Sequence, residues 1–264
     1  MLRSWRKRRH YSQLALSLEA DISARHLSFI ETGRATPSRE MLLHLADHLQ
    51  IPHRERNVLL LAAGYAPAYG TRPFSDPALA EVRDMVERLL TSLEPCPALA
   101  VDRRWNLLAS NQVAAHLLSG VAPELVQQPI NVLRASLHPH GLAPRIVNLA
   151  QWRGYVLNRL HRDVKLTGDP FLDALLDELQ GYSPHEGTDG GKRDTVDDEA
   201  IPSVAIPLRL HTEAGVLSFL STTTVFGSAT DVTVAELTIE SFLPADEHTR
   251  QALRMFEVDA PPAP

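Results

Sequence analysis

The segment 23–29 (SARHLSF) carries side chains whose chemistry suits contact with the edges of nucleic-acid bases. If Leu27 and Ile30 form the buried side of a helix there, the residues around them point outward, and these are Ser23, Ala24, Arg25, His26, Ser28 and Phe29. An arginine can donate two parallel hydrogen bonds to O6 and N7 of guanine, which discriminates between bases by about 1–3 kcal/mol. Alanine and phenylalanine offer only apolar contact, for instance with the methyl group of thymine.

Two short helices joined by a tight turn are predicted to position these side chains. Serine is a preferred N-cap, so Ser12 and Ser23 are each expected to begin a helix. Gly33 is the expected stop of the second helix, and Ser38 follows as the cap of another. A pair of this size is typical of a helix-turn-helix, whose second helix enters the major groove of DNA.

Many spaced residues of this stretch resemble the phage-repressor-like (lambda-repressor-like), Xre-type helix-turn-helix family. The resemblance covers about residues 2–63 and rests on Ser12, Gln13, Leu16, Ala20, Ile22, Ser23, Leu27, Ile30, Glu31, Gly33, Arg34, Pro37 and Ser38. Two positions depart from the family pattern, because Asp21 stands where glycine is usual and Ser17 where a small apolar alanine is usual. Aspartate tolerates the left-handed backbone, so we expect the turn to form.

This resemblance implies an all-α domain of five helices that binds double-stranded DNA. It places Ala24, Arg25 and Phe29 nearest the base edges, while Gln13 and Arg34 are placed for phosphate contacts, which position a protein without specifying sequence. Two alternatives stay open: Phe29 as a partly buried packing residue, and Arg25 as a phosphate contact.

The charge distribution fits a nucleic-acid partner for the first part of the chain only. The 264-residue chain has a formal net charge of −6, yet residues 1–56 hold ten Lys and Arg against six Asp and Glu. A basic amino-terminal module on an acidic body is the expected footprint of DNA binding. Within it, the run Arg6-Lys7-Arg8-Arg9 is expected to point toward phosphates or into solvent.

Composition argues against several other classes of protein. The single cysteine, Cys96, excludes a disulfide framework and a cysteine-based zinc site. No apolar run approaches the ~18 residues that a membrane span needs, and the basic start lacks the apolar region of a signal peptide. We therefore expect a cytoplasmic protein without a membrane partner.

A hinge and an amphipathic helix separate the two halves of the chain. Residues 66–73 (APAYGTRP) are rich in proline and glycine, and Ser75 or Asp76, followed by Pro77, is expected to cap the next helix. Its apolar stripe consists of Leu79, Val82, Val86, Leu89, Leu90 and Leu93. The stripe suits either a dimer interface or packing on its own domain, and the sequence does not decide between them.

The pattern changes after residue 98. A hairpin is predicted over 98–101 and 106–110, then helices over 112–118, 131–137, 144–165 and 170–179, and then a mobile polar loop over 181–200. Three strands follow, over 204–210, 217–223 and 235–241, because apolar and polar residues alternate there. The last of these strands is predicted to have one face exposed to solvent, which carries Glu236, Thr238 and Glu240. Asp246 is expected to begin a terminal helix, which is followed by a frayed tail.

The segment CPALAVDRRWNLLASNQVAAHLL is similar to the opening of the PAS-like ligand-binding domain of MmyB-type Xre regulators, and the similarity runs from about residue 76 to 256. It implies an antiparallel sheet cupped around a small apolar molecule, with fatty acids as the ligand class. The expected fold class is α+β, with helices on one face of the sheet. The expected domains are 1–66 for DNA binding, 67–97 for the hinge and linker helix, and 98–264 for the ligand.

A sensor pocket needs an apolar lining with a few placed polar groups. The candidates are Trp105, Phe219, Ser221, Thr223 and Phe226 from the sheet, and Trp152, Tyr155, Val156 and Arg159 from one stripe of the long helix. Arg145 or Arg159 could pair with an acyl carboxylate. The alternative for each is an ordinary core aromatic or a solvated arginine.

Neither a metal centre nor catalysis is predicted. His138 and His140 lack a third ligand at helical or strand spacing, and His185, Glu186 and Asp189 suit solvated charge in the polar loop. No nucleophile elbow, phosphate-binding loop or dinucleotide fingerprint is found, so no catalytic residue and no cofactor is expected.

Two hypotheses account for the whole chain. The first is a ligand-responsive transcription regulator, as a homodimer on a near-palindromic DNA site. The second keeps the DNA-binding module but makes the second domain a protein-interaction or dimerisation module without a small ligand. An enzyme acting on an acyl substrate is a third reading, and it lacks any placed catalytic group.

Overall fold

The computed structural model describes residues 1–182, 205–227, 229 and 231–258, and these form two compact units. The first unit holds Met1–Pro73 together with Gly227–Ala235, and the second holds Phe74–Phe226 together with the chain from Glu236 onward. The predicted polar loop beyond Tyr182, with its His185, Glu186 and Asp189, lies outside the described residues, as do Val204 and the tail after Val258. Among the described helices, none has the length and apolarity needed to cross a membrane.

Five helices build the amino-terminal part, as predicted. They are α1 (Leu2–Arg8), α2 (Gln13–Glu19), α3 (Ala24–Glu31), α4 (Arg39–His48) and α5 (His53–Ala62). The hydroxyls of Ser12, Ser23 and Ser38 accept hydrogen bonds from the backbone N–H groups three residues later, at 2.9, 3.1 and 3.2 Å. Each serine thus satisfies a backbone donor that a helix start leaves unpaired.

The turn between α2 and α3 takes the conformation predicted from its unusual residue. Asp21 has φ of 49° and Gly33, after α3, has φ of 73°, so both lie in the left-handed region. Ser17, the second departure from the family pattern, is buried and donates its hydroxyl hydrogen to the carbonyl of Leu14 at 2.8 Å. The bond satisfies the buried hydroxyl, which explains why serine is tolerated on the packing face.

A single apolar cluster holds the five helices together. Leu2 and Trp5 from α1 pack on the helix pair as predicted, beside Leu16, Leu27, Leu45 and Leu49. The last four are completely buried, and Leu27 is the residue that anchors α3. Its burial fixes which side of α3 faces outward.

The elements that follow are, in chain order, α6 (Ala80–Ser92), β1 (Ala98–Val101), β2 (Leu107–Ser110), α7 (Gln112–Leu118), α8 (Val132–Leu137), α9 (Leu149–Thr167), α10 (Pro170–Gly181), β3 (Leu208–Thr212), β4 (Gly215–Val225), α11 (Val232–Ala235), β5 (Thr238–Pro244) and α12 (Glu247–Val258). The strands form one antiparallel sheet in the order β2-β1-β5-β4-β3. The two halves of the predicted sheet therefore join through the pairing of β1 with β5. Asp246 caps α12 as predicted, accepting from the N–H of Thr249 at 2.7 Å.

Both faces of this sheet are covered. Leu99 and Val101 of β1 point to the side of α8, α9, α10 and α12, where the largest apolar cluster lies. Ala98 and Ala100 point to the opposite side, where they meet Val86 and Leu90 of α6. The apolar stripe of α6 thus packs on its own domain, which was one of the two alternatives for it.

Three elements begin later than the sequence pattern predicts. The first of the three predicted strands, placed at 204–210, spans Leu208–Thr212; the later starts of the other two elements have identifiable causes. The long helix begins at Leu149 and not at Pro144, because Ile146 is extended and forms an isolated β-bridge with Leu210. The last strand begins at Thr238 and not at Ala235, because Asp231 accepts the N–H of Thr233 at 2.9 Å and starts the short helix α11. In both places a contact far along the chain or a local cap overrides the periodicity.

The segment that carries α11 packs in the amino-terminal unit, although it lies between two strands of the sheet. The N–H of Val232 donates to the carbonyl of Gly70 at 2.8 Å, and the hydroxyl of Thr233 donates to the carbonyl of Arg72. A Cβ atom at Gly70 would stand 2.8 Å from a carboxylate oxygen of Asp231, so a larger residue there requires the Asp231 side chain to shift.

We predict that Asn111→Ala destabilises the second unit more than the loss of an exposed helix cap destabilises the first unit. The Asn111 side chain is buried, accepts from the N–H groups of Ala98 and Ala114 at 3.1 and 3.0 Å, and donates to the carbonyl of Cys96 at 2.8 Å. Removing it leaves several buried backbone groups unpaired, which lowers the free energy of unfolding by about 3 kcal/mol. Urea denaturation followed by tryptophan fluorescence measures the loss.

The matched control is Ser12→Ala, which removes one exposed cap hydrogen bond and costs about 1 kcal/mol. Equal losses for the two variants would contradict the bridging role of the Asn111 amide.

Candidate functional site

The outward side of α3 presents the side chains predicted to contact bases. Ser23 and Arg25 are exposed, whereas Ala24, His26, Ser28 and Phe29 are half-buried. The guanidinium carbon of Arg25 lies 5.3 Å from the centre of the Phe29 ring. A cation over an aromatic face is held in place by the ring quadrupole. Phe29 is therefore partly a packing residue, and its ring also supports the arginine beside it.

Arg34 and Gln13, the two residues predicted to contact phosphates, differ in whether their side chains already have a partner within the part of the chain that the structure describes. Arg34 is exposed just past the end of α3, and its backbone N–H donates to the carbonyl of Phe29 at 2.8 Å. The amide nitrogen of Gln13 donates to Glu31 at 2.7 Å. A phosphate contact by Gln13 therefore has to use the second hydrogen of that amide, since one is already given to the carboxylate.

The Glu31 carboxylate ties the start of the domain to α3. Its two oxygens accept from Nε and Nη2 of Arg6 at 2.6 and 2.9 Å, and its side chain is completely buried. Burial on its own raises the pKa of Glu31, but the hydrogen bonds from Arg6 and Gln13 outweigh it and hold that pKa below its ordinary value. Glu31 therefore stays ionised, and its pairing with Arg6 orients α3 against α1.

This pair corrects the expectation for the basic run of α1. Arg6 does not point toward phosphates or into solvent, because it is buried and also donates to the carbonyl of Tyr11 at 2.8 Å. Arg9 donates from Nε to the carbonyl of Leu49 at 3.1 Å, which closes the end of α4. Arg8 lies over the ring of Trp5 at 4.8 Å. Several cations of the run therefore have structural contacts.

A cavity of about 100 Å³ lies in the second unit between the sheet and the helices that cover it. Its lining is almost entirely apolar, with Leu99, Leu208, Leu210 and Phe219 from the strands and Leu117, Leu133, Trp152 and Val156 from α7, α8 and α9 among its members. The strands reach it because every second residue faces this side, and α9 because positions three and four apart share one helix face. The arrangement can hold a small apolar molecule.

Polar groups gather at one end of the cavity. Nη2 of Arg159 donates to Oε1 of Glu240 at 2.5 Å, and Nη1 donates to Oε2 at 2.9 Å. Thr223 donates to the same carboxylate at 3.0 Å. The hydroxyls of Tyr155 and Ser221 lie 3.3 Å apart, and Tyr155 is 3.5 Å from Nη1 of Arg159. This end therefore contains one charged pair and two weakly engaged hydroxyls.

Burial and the pairing with Glu240 shift the pKa of Arg159 in opposite directions. Burial lowers its pKa, but the hydrogen bond and charge of Glu240 outweigh that effect and raise the pKa of Arg159 above its ordinary value. The guanidinium also lies 4.5 Å from the centre of the Trp105 ring. Arg159 is thus a fixed cation held between a carboxylate and an aromatic face.

The two tryptophans of the lining are held by their indole N–H groups. Trp152 donates to the hydroxyl of Ser136 at 3.0 Å, and Trp105 donates to Asp163 at 3.2 Å. Burial raises the pKa of Asp163 above its ordinary value, against the opposing effects of Trp105 and Arg159. Satisfied N–H groups leave the apolar faces of both rings toward the cavity.

Most of the predicted pocket residues come together around this cavity. Those that line it are Trp105, Trp152, Tyr155, Val156, Arg159, Phe219 and Ser221. Thr223 is not among the lining residues, but its hydroxyl forms hydrogen bonds of 3.0 Å with both Arg159 and Glu240.

Two predicted pocket residues lie elsewhere. Arg145 donates to the carbonyls of Leu117, Ser119 and His211, so it ties the end of α7 to β3 and is not among the lining residues. Phe226 packs in the cluster around α6, on the opposite face of the sheet, because its odd spacing from Phe219 turns it away from the cavity face. Neither is placed to contact a molecule in the cavity.

Glu240 is the main site residue that the sequence reasoning missed. Alternation along β5 predicted it to be on a solvated face, but its side chain is only 5% exposed. The prediction was wrong because α9 covers this face of β5, where Arg159 pairs with Glu240, while α6 covers the face of Ile239. Ser136 and Asp163 were missed too, since nothing in their local sequence marks them as partners of the tryptophans.

His138 and His140, the two histidines considered as metal ligands, contact each other. The rings of His138 and His140 meet edge to face at 5.3 Å, and Nδ1 of His138 accepts the N–H of His140 at 3.0 Å. Across the ranges that the structure describes, no three histidine, cysteine, aspartate or glutamate side chains come together to hold a metal ion.

Two family models match this chain in the regions just described. The model described as the MmyB-like transcription regulator ligand binding domain matches residues 82–256, and the model described as helix-turn-helix matches residues 2–56. No curated protein matches the chain significantly. The first match contains the cavity and spans well over half of the chain, and the second contains α2 and α3. The chain therefore belongs to the family of helix-turn-helix transcription regulators that carry an MmyB-like ligand-binding domain.

Proposed function

We propose that this regulator binds a specific double-stranded DNA sequence and responds to a small apolar ligand, such as a fatty acid, held in its second domain. The observation that carries the proposal is the apolar cavity with one polar end, inside the region that matches the ligand-binding family. As part of the proposal, the protein acts as a homodimer in the cytoplasm. The proposed domain limits are 1–66, 67–97 and 98–264.

The DNA contact is proposed to divide between base readout and positioning. Arg25 is the base-reading residue, since it is exposed and its guanidinium is supported by the Phe29 ring. The remaining proposed contacts of α3 are Ser23, Ala24, His26 and Ser28. Arg34 and Gln13 are assigned to phosphates, which fix position and carry no sequence information.

The ligand contact is proposed to use the cavity lining for the apolar body and the cluster around Arg159 for the polar end. A volume of about 100 Å³ is smaller than the ~300–1,000 Å³ of pockets for drug-sized ligands. A long acyl chain therefore requires the wall to move outward when it binds.

The same small volume favours one alternative. A domain whose core is nearly filled could serve as a protein-interaction or dimerisation module without any small ligand. The two proposals differ in one respect that can be measured, namely whether a small molecule stabilises the protein.

If ligand and DNA influence each other, their coupling is reciprocal. Whatever factor the ligand applies to DNA affinity, DNA must apply to ligand affinity. This holds whether the ligand releases the protein from DNA or recruits it.

We predict that Arg25→Ala and Arg34→Ala weaken DNA binding in different ways. Arg25→Ala relaxes discrimination at one base position by about 1–3 kcal/mol. Arg34→Ala weakens binding to all sequences alike and reduces the salt dependence by about one phosphate contact. Fluorescence anisotropy on a selected operator and on random DNA, over a range of salt concentrations, separates the two effects.

Arg88→Ala is the control, since this exposed arginine lies on α6 in the second unit and is expected to leave DNA binding unchanged. Equal losses on operator and random DNA for both Arg25→Ala and Arg34→Ala would refute the division into reading and positioning.

We predict that native mass spectrometry shows a dimer carrying a co-purified small apolar molecule, which denaturing conditions release. Val156→Phe adds bulk at a buried position of the lining and is expected to abolish the adduct. Val147→Phe is the matched control, because Val147 is 48% exposed and does not line the cavity. A dimer without any adduct, and no thermal stabilisation by any lipid tested, supports the interaction-module alternative.

A further inference from the structure

The polar end of the cavity is already neutral in charge before any ligand enters. Arg159 is the one cation and Glu240 the one anion among the described residues that line the cavity. They face each other through two parallel hydrogen bonds of 2.5 and 2.9 Å. Such a fork uses both carboxylate oxygens and both terminal nitrogens of the guanidinium.

The pair is also buried, which makes it hard to separate. The Glu240 side chain is 5% exposed and that of Arg159 is 18% exposed. An anion that took Arg159 away from Glu240 would leave a buried carboxylate without its counter-charge, which is strongly unfavourable. Thr223 adds a third link, since it donates to Glu240 and accepts from Arg159, each at 3.0 Å.

A second carboxylate stands close to the same end. Asp163 accepts the indole N–H of Trp105 at 3.2 Å, and the Trp105 ring lies against Arg159. An entering carboxylate would therefore meet one cation that is already paired and two acidic side chains, while the other cation near Asp163, Arg162, is exposed to solvent. Repulsion between like charges a few ångströms apart in a protein interior is far stronger than in water.

The groups free to rearrange at this end are uncharged. Tyr155 and Ser221 both line the cavity, and their hydroxyls are 3.3 Å apart, near the long limit of a hydrogen bond. Each hydroxyl both donates and accepts, so an incoming hydroxyl or carbonyl oxygen could bond to either of them without disturbing the charged pair.

We propose that the cavity selects an uncharged apolar molecule with a hydroxyl or carbonyl group at its polar end, such as a fatty alcohol or an acyl ester, and discriminates against the free carboxylate. The inference rests on the proposed ligand-sensing function and replaces the fatty acid named there as an example by an uncharged relative of the same chain. The Arg159–Glu240 pair acts as the selecting element, since it neutralises the cation that a fatty acid would otherwise use.

The test compares ligands of equal chain length on the full-length protein. Octanol, methyl octanoate and octanoate, and the corresponding twelve-carbon compounds, are titrated at neutral pH below their self-association limits. Quenching of tryptophan fluorescence reports binding, because Trp105 and Trp152 line the cavity. We expect the alcohol and the ester to bind at least ~10-fold more tightly than the carboxylate.

The variant Glu240→Gln tests the selecting element. It keeps the size of the side chain and removes its charge, so the cation of Arg159 becomes available and the preference against the carboxylate shrinks by about tenfold or more. Glu178→Gln is the matched control, because Glu178 accepts a similar fork from Arg134 at 2.7–3.1 Å but does not line the cavity. The Glu178→Gln protein is expected to keep the preference of the unaltered protein for the uncharged ligands over the carboxylate.

The outcomes separate the two levels of the proposal. Equal or tighter binding of the carboxylate to the unaltered protein overturns the selection of uncharged ligands and leaves ligand sensing intact. An unchanged preference in a folded Glu240→Gln protein overturns the role of the charged pair. Binding of none of the compounds counts against the proposed sensing function itself. If Glu240→Gln does not fold, the comparison of ligands on the unaltered protein still decides the ligand class.

Discussion

The second unit depends on one constraint, which is that its five-stranded sheet is apolar on both faces and each face has to be covered. Leu99, Val101 and Phe219 face one side, while Ala98, Ala100 and Ile239 face the other. The small residues on the second side allow α6 to lie directly on the strands. On the first side, α7, α8 and α9 cover the large residues, and the cavity lies between these helices and the sheet.

A second regularity is that each unit contains a largely buried ion pair between an arginine and a glutamate. Arg6 and Glu31 join α1 to α3, and Arg159 and Glu240 join α9 to β5. Buried pairs add little net stability compared with apolar residues, but breaking one costs about 3–5 kcal/mol because the remaining charge is stranded. Each pair therefore fixes the position of one element that matters for recognition. In the first unit this element is α3, and in the second it is the polar end of the cavity.

The helices were predictable from local residues, and the long-range contacts were not. The caps Ser12, Ser23, Ser38, Asn111 and Asp246 each satisfy backbone groups a few positions away, so the sequence locates them directly. Ile146 leaves the helical pattern where it forms a bridge with Leu210, and Glu240 is buried because α9 covers its face of β5 and Arg159 pairs with it.

The pocket shows the same division between local and distant causes. The stripe of Trp152, Tyr155, Val156 and Arg159 follows from helical spacing, and all four residues line the cavity. Phe226 failed because it stands an odd number of residues from Phe219, so alternation along the strand turns it to the opposite face. Arg145 failed because its partners are backbone carbonyls of α7 and β3, which are distant in sequence. Identifying the partner of Arg159 required knowing which strand lies opposite α9. Residue types alone do not contain that information.

The amino-terminal unit is discontinuous in sequence, since Gly227–Ala235 packs with Met1–Pro73. The chain therefore crosses between the two units three times, and the hinge is only one of three covalent connections. A gene fusion that joins another sensor at the hinge would leave this segment behind, together with the hydrogen bond that Val232 gives to Gly70. The two units are less independently exchangeable than their separate family matches suggest, and recombination between such regulators has to preserve the β4–β5 connection as well as the hinge.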